Sequence, residues 1–394
     1  MPEYVAPGVY VEETSFRSKP IEGVATDIAA FIGPTRRGPW GTCPRLLTSF
    51  AEFERLYGGF ADLRLHLPAG QRNNHLAHAV AGYFANGGRR LYVARTRPNR
   101  AGTPPTAEDY TNALATLARC DDVATVAAPG LMARWESEAT FCAEVAGQLV
   151  TWAAANGRRS LAVLDAPPAA SQSDLLAFRD RFDSSHGALY APWLRITNPL
   201  AGNGRPDTLL TPPAGFVCGI YARNDSEKSV AKAPANEPVS GALETERPIG
   251  RGEQESLNPA GVNCLRTFEG RGLRVWGART LSSDPQWQYV NLRRYFNYLE
   301  SSIDRGTRRA VFEPNGERLW TNIRACIENF LYSEWTSGAL LGSKAEQAFF
   351  VRCDRSTMTQ NDLDNGRLVA LIGVAPLRPA EFVIFRIGQW TAAA

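Results

Sequence analysis

Three groups of residues have types and spacings that could support chemistry. Gly338 to Lys344 (GALLGSK) is similar to a phosphate-binding loop, but Ser precedes Lys and no strand leads into it, so the phosphate-cradling geometry fails. His75 and His78 lie one helical turn apart with His66 nearby, but no Cys or carboxylate at ligand spacing completes a zinc site. Asp183 to His186 (DSSH) holds the residue types of a hydrolase triad, yet residues packed into one tetrapeptide cannot face one another. We therefore predict no catalytic residue, metal site or cofactor.

The charge balance argues against a nucleic-acid partner. The 394 residues include 43 Lys plus Arg and 40 Asp plus Glu, a net charge of +3, which creates no field that would hold DNA or an acidic membrane. Only four of the basic residues are lysines. This arginine bias is explained either by planar ion pairs at interfaces or by a GC-rich genome.

The chain has the features of a protein made in the cytosol. Met1 to Tyr10 has no apolar core of a signal peptide, and no apolar run approaches the roughly 18 residues of a membrane span. We therefore expect no direct membrane insertion. The seven cysteines are widely spaced and form no C-x-x-C, so we expect them to be small buried residues in a reducing compartment.

Short apolar runs alternate with helical patterns in the first half of the chain. One helix is expected behind a Thr106 to Asp109 cap and another after Ser173. Alternation of this kind favours right-handed βαβ units and a mostly parallel sheet. The predicted strands are Ala29 to Gly33, Leu91 to Arg95, Val123 to Pro129, Leu161 to Pro167 and Leu189 to Ile196.

The second half has a different character. Asn224 to Gly261 is polar and rich in Pro and Gly, which is typical of a long connecting segment or a domain seam. Beyond it, apolar residues from Leu319 to Leu331 recur at helical spacing. An earlier helix uses Leu292, Phe296, Leu299 and Ile303, with Arg293 and Arg294 off its apolar stripe. This half is expected to be an α+β domain.

Two β-prone stretches lie near the ends of the sequence, outside the alternating units. They are Gly8 to Glu13 (GVYVEE) and Phe382 to Ile387 (FVIFRI). Such a stretch either pairs within its own sheet or adds to the exposed edge of a neighbouring molecule. Both possibilities stay open at this point.

A series of short strings shows a family resemblance. They occur in the following order: YVAPGVYVEE from Tyr4, AFIGPTRRG from Ala30, YFANGGRRLYVAR from Tyr83, KAPANE from Lys232, LNPAGVN from Leu257, RGLRVWGARTLSSD from Arg271, FEPN from Phe312, GALLGSKAEQAFFVRCD from Gly338 and APLRPAEFVIFRI from Ala375. Each string is weak alone, but together they cover nearly the whole chain. In order and spacing the chain resembles the contractile tail sheath proteins of phages and phage-like injection systems.

The resemblance implies a structural role rather than catalysis. It implies a homo-oligomer of stacked hexameric rings around an inner tube protein, held in a metastable extended state until contraction drives the tube through a target envelope. Baseplate and tail terminator or cap proteins would be further partners, and nucleic acid would not. Assembly would take place in the bacterial cytoplasm, and the product would be a phage tail or a released tail-like particle. A cytosolic α/β enzyme and a monomeric binding module are the alternatives.

The resemblance also implies a domain organisation in which different segments of the chain have different roles. Residues 1–25 would be an N-terminal arm and linker that joins the inner domain, and 26–235 would be an outer α/β domain with a mostly parallel sheet. Residues 236–378 would be the tube-contacting α+β domain, which is the inner domain that the N-terminal arm completes, and 379–394 would be a C-terminal arm. The residues implied to donate strands to neighbouring subunits are Val9, Tyr10, Val11, Glu12, Phe382, Val383, Ile384, Phe385, Arg386 and Ile387. The residues implied to face the tube are Arg324, Ser343 and Lys344.

Overall fold

The computed structural model describes residues 20–68, 71–98, 102–155, 157, 159–202 and 204–381. Both predicted arm strands, Gly8 to Glu13 and Phe382 to Ile387, lie outside these residues. The described chain forms two compact units. The larger unit contains residues 23–301 and 376–381, and the smaller unit contains residues 20–22 and 302–375.

Thirteen strands and eleven α-helices are present in the described residues. The strands are β1 Ile28–Gly33, β2 Arg90–Arg95, β3 Thr125–Ala127, β4 Leu161–Asp165, β5 Gly187–Ala191, β6 Leu194–Thr197, β7 Thr208–Thr211, β8 Glu237–Pro238, β9 Glu244–Thr245, β10 Val262–Phe268, β11 Gly272–Trp276, β12 Phe349–Arg352 and β13 Leu371–Val374. The helices are α1 Phe50–Tyr57, α2 His75–Ala85, α3 Ala107–Thr116, α4 Trp135–Ala154, α5 Gln172–Arg179, α6 Ala214–Glu227, α7 Arg251–Leu257, α8 Val290–Thr307, α9 Glu317–Thr336, α10 Ala345–Ala348 and α11 Gln360–Asp364.

The larger unit is built on an eight-stranded sheet with the order β2-β1-β3-β4-β5-β10-β11-β8. Every pairing from β2 to β10 is parallel, and the last two pairings are antiparallel. This confirms the predicted, mostly parallel sheet. The predicted strand Leu189 to Ile196 is instead two strands, because β5 belongs to this sheet whereas β6 pairs with β7 and β9 in a separate one. Pro192, which has no N–H for a ladder, lies between them.

Both faces of the large sheet are covered by helices. Along β1, Ala30 and Ile32 contribute to a core shared with α3, α4 and α5. Ala29 and Phe31 point to the opposite core, which is shared with α1, α2 and α6. Because successive strand residues alternate between faces, a strand buried on both sides is apolar throughout. This explains why these strands are continuous apolar runs in the sequence.

Local capping signals locate the helix starts. Thr106 and Asp109 form a reciprocal capping box at α3, with Thr106 N donating to Asp109 Oδ2 at 2.9 Å and Asp109 N donating to Thr106 Oγ1 at 3.3 Å, which confirms the predicted cap. The predicted start of α5 after Ser173 is wrong. Ser171 caps that helix by accepting from Asp174 N at 3.3 Å, so Ser173 lies in its first turn.

The polar segment Asn224 to Gly261 is ordered within the larger unit. It contains β8, β9 and α7, and Glu237 in β8 is 6% exposed and paired with Lys228 Nζ at 2.6 Å. The large sheet also continues through β10 and β11, past residue 235, where the sequence places a domain boundary. The assignment of 26–235 and 236–378 to outer and inner domains of an assembly stays a prediction.

The smaller unit has its own core around α9. The buried stripe of this helix is the one that the sequence predicts, and it comprises Trp320, Ile323, Cys326, Ile327, Phe330 and Leu331. Trp320 packs with Cys353 and Met358, which follow β12 in the chain. The two-stranded sheet of β12 and β13 therefore lies on a helix with an apolar face.

A carboxyl group is buried at the end of β4. Asp165 is 5% exposed and accepts a hydrogen bond from Ala214 N, at the start of α6, at 2.7 Å. Burial raises the pKa of Asp165 to about 8, and the hydrogen bond from Ala214 opposes that shift only in part. The folded protein therefore holds this group protonated where the unfolded chain would not.

We expect Asp165 to make folding less favourable as pH rises. The unfolded carboxyl loses its proton near pH 3.8 whereas the folded one keeps it to about 8, so between these values its contribution falls by about 1.4 kcal/mol per pH unit. Asp165→Asn removes this slope, which thermal unfolding at a series of pH values would measure. Asp174→Asn is the control, because hydrogen bonds from Ser171 lower the pKa of Asp174 and it stays ionised across this range. Parallel pH profiles for wild type and Asp165→Asn would contradict the prediction.

Candidate functional site

The chemical motifs of the sequence have structural roles. Gly338 to Lys344 follows α9 and precedes the four-residue helix α10, so it is a turn after a helix. Asp183 accepts hydrogen bonds from Ser283 N at 2.8 Å and Ser283 Oγ at 2.6 Å, whereas His186 Nδ1 lies 2.9 Å from Ser160 O. Asp183 and His186 thus have separate partners instead of forming a relay.

The paired histidines are packing residues. His75 and His78 lie on α2 and are 5% and 4% exposed. His78 stacks on Phe60 with ring centroids 4.9 Å apart, and His75 meets the edge of Trp193 at 5.3 Å. Burial lowers the pKa of His78 to about 4, so the imidazole is neutral at pH 7. Among the described residues, no group of three or more His, Cys, Asp or Glu side chains could hold a metal ion.

One prediction about the cysteines is wrong. Six of them are buried as expected, but Cys43 is exposed, because it lies in the loop between β1 and α1 and not in an element of the core.

In the part of the chain that the structure describes, no helix has the length and hydrophobicity of a membrane span.

A residue that follows the predicted N-terminal strand Gly8 to Glu13 is fixed within the smaller unit. Ile21 is 7% exposed and lies against Gly306 in the last turn of α8. A Cβ added at Gly306 would come within 2.6 Å of Ile21 Cγ1, so the glycine is what lets the chain approach the helix so closely. The described chain is therefore fixed close to its first residues.

The residue before the predicted C-terminal strand Phe382 to Ile387 is fixed within the larger unit. Glu381 accepts hydrogen bonds from Arg279 Nη2 at 2.6 Å and Arg279 Nε at 3.1 Å, and also from Asn258 Nδ2 at 2.7 Å and Tyr289 Oη at 3.1 Å. Burial alone would raise the pKa of Glu381, but these donors, and above all Arg279, hold it below its usual value. The carboxylate is therefore ionised and tightly held at neutral pH, directly before Phe382.

The two-stranded sheet of the smaller unit has open edges. β12 and β13 pair antiparallel, from Phe349 opposite Val374 to Arg352 opposite Leu371, and no other described strand pairs with either of them. Phe350 and Leu371 are 46% and 51% exposed. A two-stranded sheet is marginal alone, and its free N–H and C=O groups are a template for a further strand.

A cross-strand contact gives this sheet its shape. The ring of Phe350 lies over Gly373, where an added Cβ would meet Phe350 Cε1 at 2.2 Å. The guanidinium of Arg352 lies 5.5 Å from the centre of the same ring. The exposed apolar side chain thus stays on the surface of the sheet and available to a partner.

The three predicted tube-facing residues lie in the smaller unit. Arg324 is on α9 and its Nε is 3.9 Å from Glu328 Oε1. Ser343 donates through its Oγ to Gln347 Oε1 at 3.0 Å. Lys344, the residue before α10, is exposed. No hydrogen bond or ion pair in the described chain joins Arg324 to Ser343 or Lys344.

Sequence reasoning missed the contacts that fix Ile21 and Glu381, and it missed the two-stranded sheet of β12 and β13. Arg279 and Glu381 are 102 residues apart, and nothing local marks them as partners. The β-prone strings FFVR and LIGV, which form β12 and β13, are the only local signal for this sheet, and it is a weak one. Neither string alternates clearly enough to stand out from a helical neighbourhood.

Comparison with known families decides what kind of protein this is. The model for the phage tail sheath protein central domain matches residues 103–281, and the model for the phage tail sheath C-terminal domain matches residues 282–389. The chain belongs to the phage tail sheath family. Proteins of this family are structural sheath proteins and not enzymes, which excludes the alternative of a cytosolic α/β enzyme.

Solved structures extend the similarity to nearly the full chain. The sheath of an extracellular contractile injection system, PVC, in its contracted state is 29% identical with a TM-score of 0.79, covering 99% of each chain. The helical sheath of the anti-feeding prophage in its contracted state is 27% identical with a TM-score of 0.77, covering 98% of this chain and 100% of that one. Members of the family in these two particles therefore share the whole fold of this sheath chain.

Curated relatives match over shorter regions. The tail sheath protein of Burkholderia phage BcepMu is 25% identical over 206 residues, which are 47% of this chain and 42% of the relative. The matches span between 25% and 59% of the length of the curated relatives. The sheath family thus includes longer members than this one.

Proposed function

We propose that this chain is the sheath subunit of a contractile phage tail or phage-like injection particle. It polymerises as stacked hexameric rings around an inner tube and contracts from a metastable extended state, which drives the tube through a target envelope. The observation that carries the proposal is the near full-length similarity to a sheath subunit captured in a contracted particle, at 29% identity and a TM-score of 0.79. Assembly takes place in the bacterial cytoplasm, and the product is a virion or a released particle.

Subunits are joined by exchanged strands. The N-terminal strand containing Val9 to Glu12 and the C-terminal strand Phe382 to Ile387 add to the open edges of β12 and β13 in neighbouring copies. Each ladder hydrogen bond contributes about 1 kcal/mol net, and the exposed side chains of Phe350 and Leu371 add apolar burial. A heterologous contact of this kind does not close on itself and generates helical assemblies.

The fixed points at Ile21 and Glu381 support this arrangement. Ile21 follows the proposed N-terminal donor strand and Glu381 precedes the C-terminal one, so a strand that pairs with a neighbour transmits force to the body of its own subunit. Glu381 is held by four hydrogen bonds, two of which come from a guanidinium and are of the stronger, charge-assisted kind. Exchanged strands that are anchored in this way keep neighbouring subunits connected while the rest of each subunit moves to new contacts during contraction.

Further partners follow from the sheath role. Similarity also extends to a chain of the anti-feeding prophage baseplate, at 27% identity and a TM-score of 0.75 over 99% of this chain, which supports contact with a baseplate. The inner tube and a tail terminator or cap complete the set. Residues 236–378 form the inner, tube-contacting domain and 26–235 the outer domain.

We expect Lys344→Glu to weaken sheath assembly on the tube at low salt. Lys344 is exposed and directly precedes α10, and the reversal replaces attraction to an acidic tube surface by repulsion that salt would screen. Co-assembly with the tube protein, followed by sedimentation, measures the effect. Arg45→Glu is the matched control, because it reverses an exposed charge in the proposed outer domain. Equal sedimentation of the Lys344→Glu variant and wild type at low salt would rule out the tube contact.

Negative-stain electron microscopy of the purified chain tests the sheath function. We expect hollow tubes or rings of uniform diameter, with inner walls wide enough for a protein tube. A protein that stays monomeric at every concentration would overturn the proposal and favour the monomeric binding module.

A further inference from the structure

Two cysteines that are distant in sequence meet in the larger unit. Cys43 and Cys120 are 77 residues apart, and their Sγ atoms lie 3.7 Å from each other. Cys43 is exposed whereas Cys120 is 5% exposed. The Cys43 residue is therefore accessible to small reagents, and the sulfur of the buried Cys120 lies next to that of Cys43.

The backbone of Cys120 is held by a turn, whereas Cys43 lies in a loop. Cys120 follows a 3₁₀ turn of Leu117 to Arg119 and donates its N–H to Leu117 O at 2.9 Å, which fixes its backbone. Cys43 lies in the loop between β1 and α1, two residues after Gly41 with φ of 68°. A disulfide needs the sulfurs about 2 Å apart, and the loop can supply that approach without moving a helix or strand.

The other cysteines have no comparable arrangement. Burial raises the pKa of the thiols of Cys142, Cys218 and Cys264 to about 12, which suppresses the reactive thiolate. Cys326 and Cys353 are 6% and 2% exposed, and burial raises the pKa of the Cys353 thiol as well. Exposure and a neighbouring sulfur therefore coincide at one place in the described chain.

We propose that Cys43 and Cys120 are a thiol pair that closes to an intrachain disulfide when a peroxide reaches the protein. Hydrogen peroxide transfers one oxygen to Cys43 Sγ, which gives a sulfenic acid and one water molecule. Cys120 Sγ then attacks the Cys43 sulfur, forms the S–S bond and displaces the oxygen as a second water, which takes up the remaining proton. Two thiols are oxidised by two electrons and one peroxide is reduced.

The disulfide would change the stability of the larger unit and not its fold. It ties the β1–α1 loop to the end of α3 and closes a long loop in the unfolded chain, which lowers the entropy of that state. Trp40 in the same loop lies 5.7 Å from the guanidinium of Arg97, so the bond also holds this exposed stacking pair in place. The inference is independent of the proposed sheath function, and failure of one leaves the other untouched.

Thiol counting on the full chain tests the proposal. After treatment with one equivalent of hydrogen peroxide and denaturation, we expect N-ethylmaleimide to label two fewer cysteines than the seven of the reduced chain. Peptide mass spectrometry should then find Cys43 joined to Cys120. The midpoint of thermal unfolding should be higher for the oxidised protein, and dithiothreitol should reverse both changes.

Two variants make the result specific. Cys43→Ser, at an exposed loop position, should fold normally and show neither the cross-link nor the thermal shift. Cys353→Ser is the control, and it should still form the cross-link and show the thermal shift. Seven labelled cysteines in the oxidised wild type would overturn the inference, as would a cross-link only between chains or a Cys43 oxidised to sulfinic acid beside an unreacted Cys120.

Discussion

Deleting Met1 to Thr14 is expected to abolish polymerisation and leave a folded monomer. The deletion removes the proposed donor strand, Gly8 to Glu13, and with it several ladder hydrogen bonds of about 1 kcal/mol each per contact. It leaves intact the point where Ile21 packs on Gly306, so both compact units keep their described contacts. Sedimentation velocity measures the loss of polymer, and circular dichroism measures the retained fold.

Competition with a synthetic peptide distinguishes two explanations for the effect of the deletion, the loss of an exchanged strand and a nonspecific loss of contact surface between subunits. A synthetic peptide of Tyr4 to Thr14 should occupy the open edges of β12 and β13 and block polymerisation of the full chain, whereas a scrambled peptide of the same composition should not. Normal sheaths from the truncated protein would contradict the strand-exchange proposal. Loss of the fold on truncation would contradict it too, because the arm would then be part of its own subunit's core.

Asp225→Asn is expected to destabilise the larger unit by about 3–5 kcal/mol. Asp225 and Arg294 form a bidentate pair, with Nη2 to Oδ2 at 2.6 Å and Nη1 to Oδ1 at 2.9 Å, and their side chains are only 5% and 3% exposed. Thr26 Oγ1 also donates to Asp225, at 2.5 Å, and Arg294 donates to Thr26 O at 3.0 Å. The pair thus joins the entry to β1, the helix α6 and the helix α8.

The expected loss of stability is large because Asp225→Asn leaves the buried guanidinium of Arg294 without a counter-charge. Burial alone would lower the pKa of Arg294, but Asp225 raises it above its usual value, so the guanidinium stays charged when its partner becomes an amide. An uncompensated buried charge is far more costly than the loss of an exposed pair. Asn at position 225 still offers one amide oxygen to Arg294 but no negative charge, so the guanidinium would be left with neutral partners only: that oxygen, the carbonyl of Thr26 and the ring of Tyr221 at 4.7 Å.

Thermal unfolding of the monomeric truncated protein measures this cost without interference from assembly. Glu244→Gln is the matched control, because it removes the carboxylate of an ion pair with Arg195 whose members are 62% and 35% exposed, and such pairs contribute about 1 kcal/mol or less. Replacing Asp225 by Leu and Arg294 by Met together should recover most of the stability. Equal midpoints for Asp225→Asn and Glu244→Gln would show that the buried pair is dispensable.

Local patterns in the sequence predicted several of the main strands and helices. The capping box of Thr106 and Asp109 acts over three residues, and the apolar stripe of α9 repeats within one helix, so both can be read from short windows. Strands β1 and β4 could be predicted because burial on both faces makes them almost entirely apolar. The position of Ser171 as the cap of α5 was missed because Ser173 beside it has the same chemistry.

Contacts between distant residues could not be predicted in this way. Arg294 lies off the apolar stripe of α8, yet it is buried because Asp225, 69 residues earlier, supplies its counter-charge. The same is true of Arg279 with Glu381 and of Cys43 with Cys120, which only the fold brings together. The family resemblance supplied the function, and the structure supplied the open sheet and the fixed points that make the proposed strand exchange physically reasonable.

Helical reconstruction of the polymer by cryo-electron microscopy tests the central proposal most directly. We predict six subunits per ring and a mixed sheet in which strands containing Val9 to Glu12 and Phe382 to Ile387, supplied by neighbouring copies, flank β12 and β13. A polymer in which those edges stay unpaired, or in which each arm pairs within its own subunit, would contradict the account.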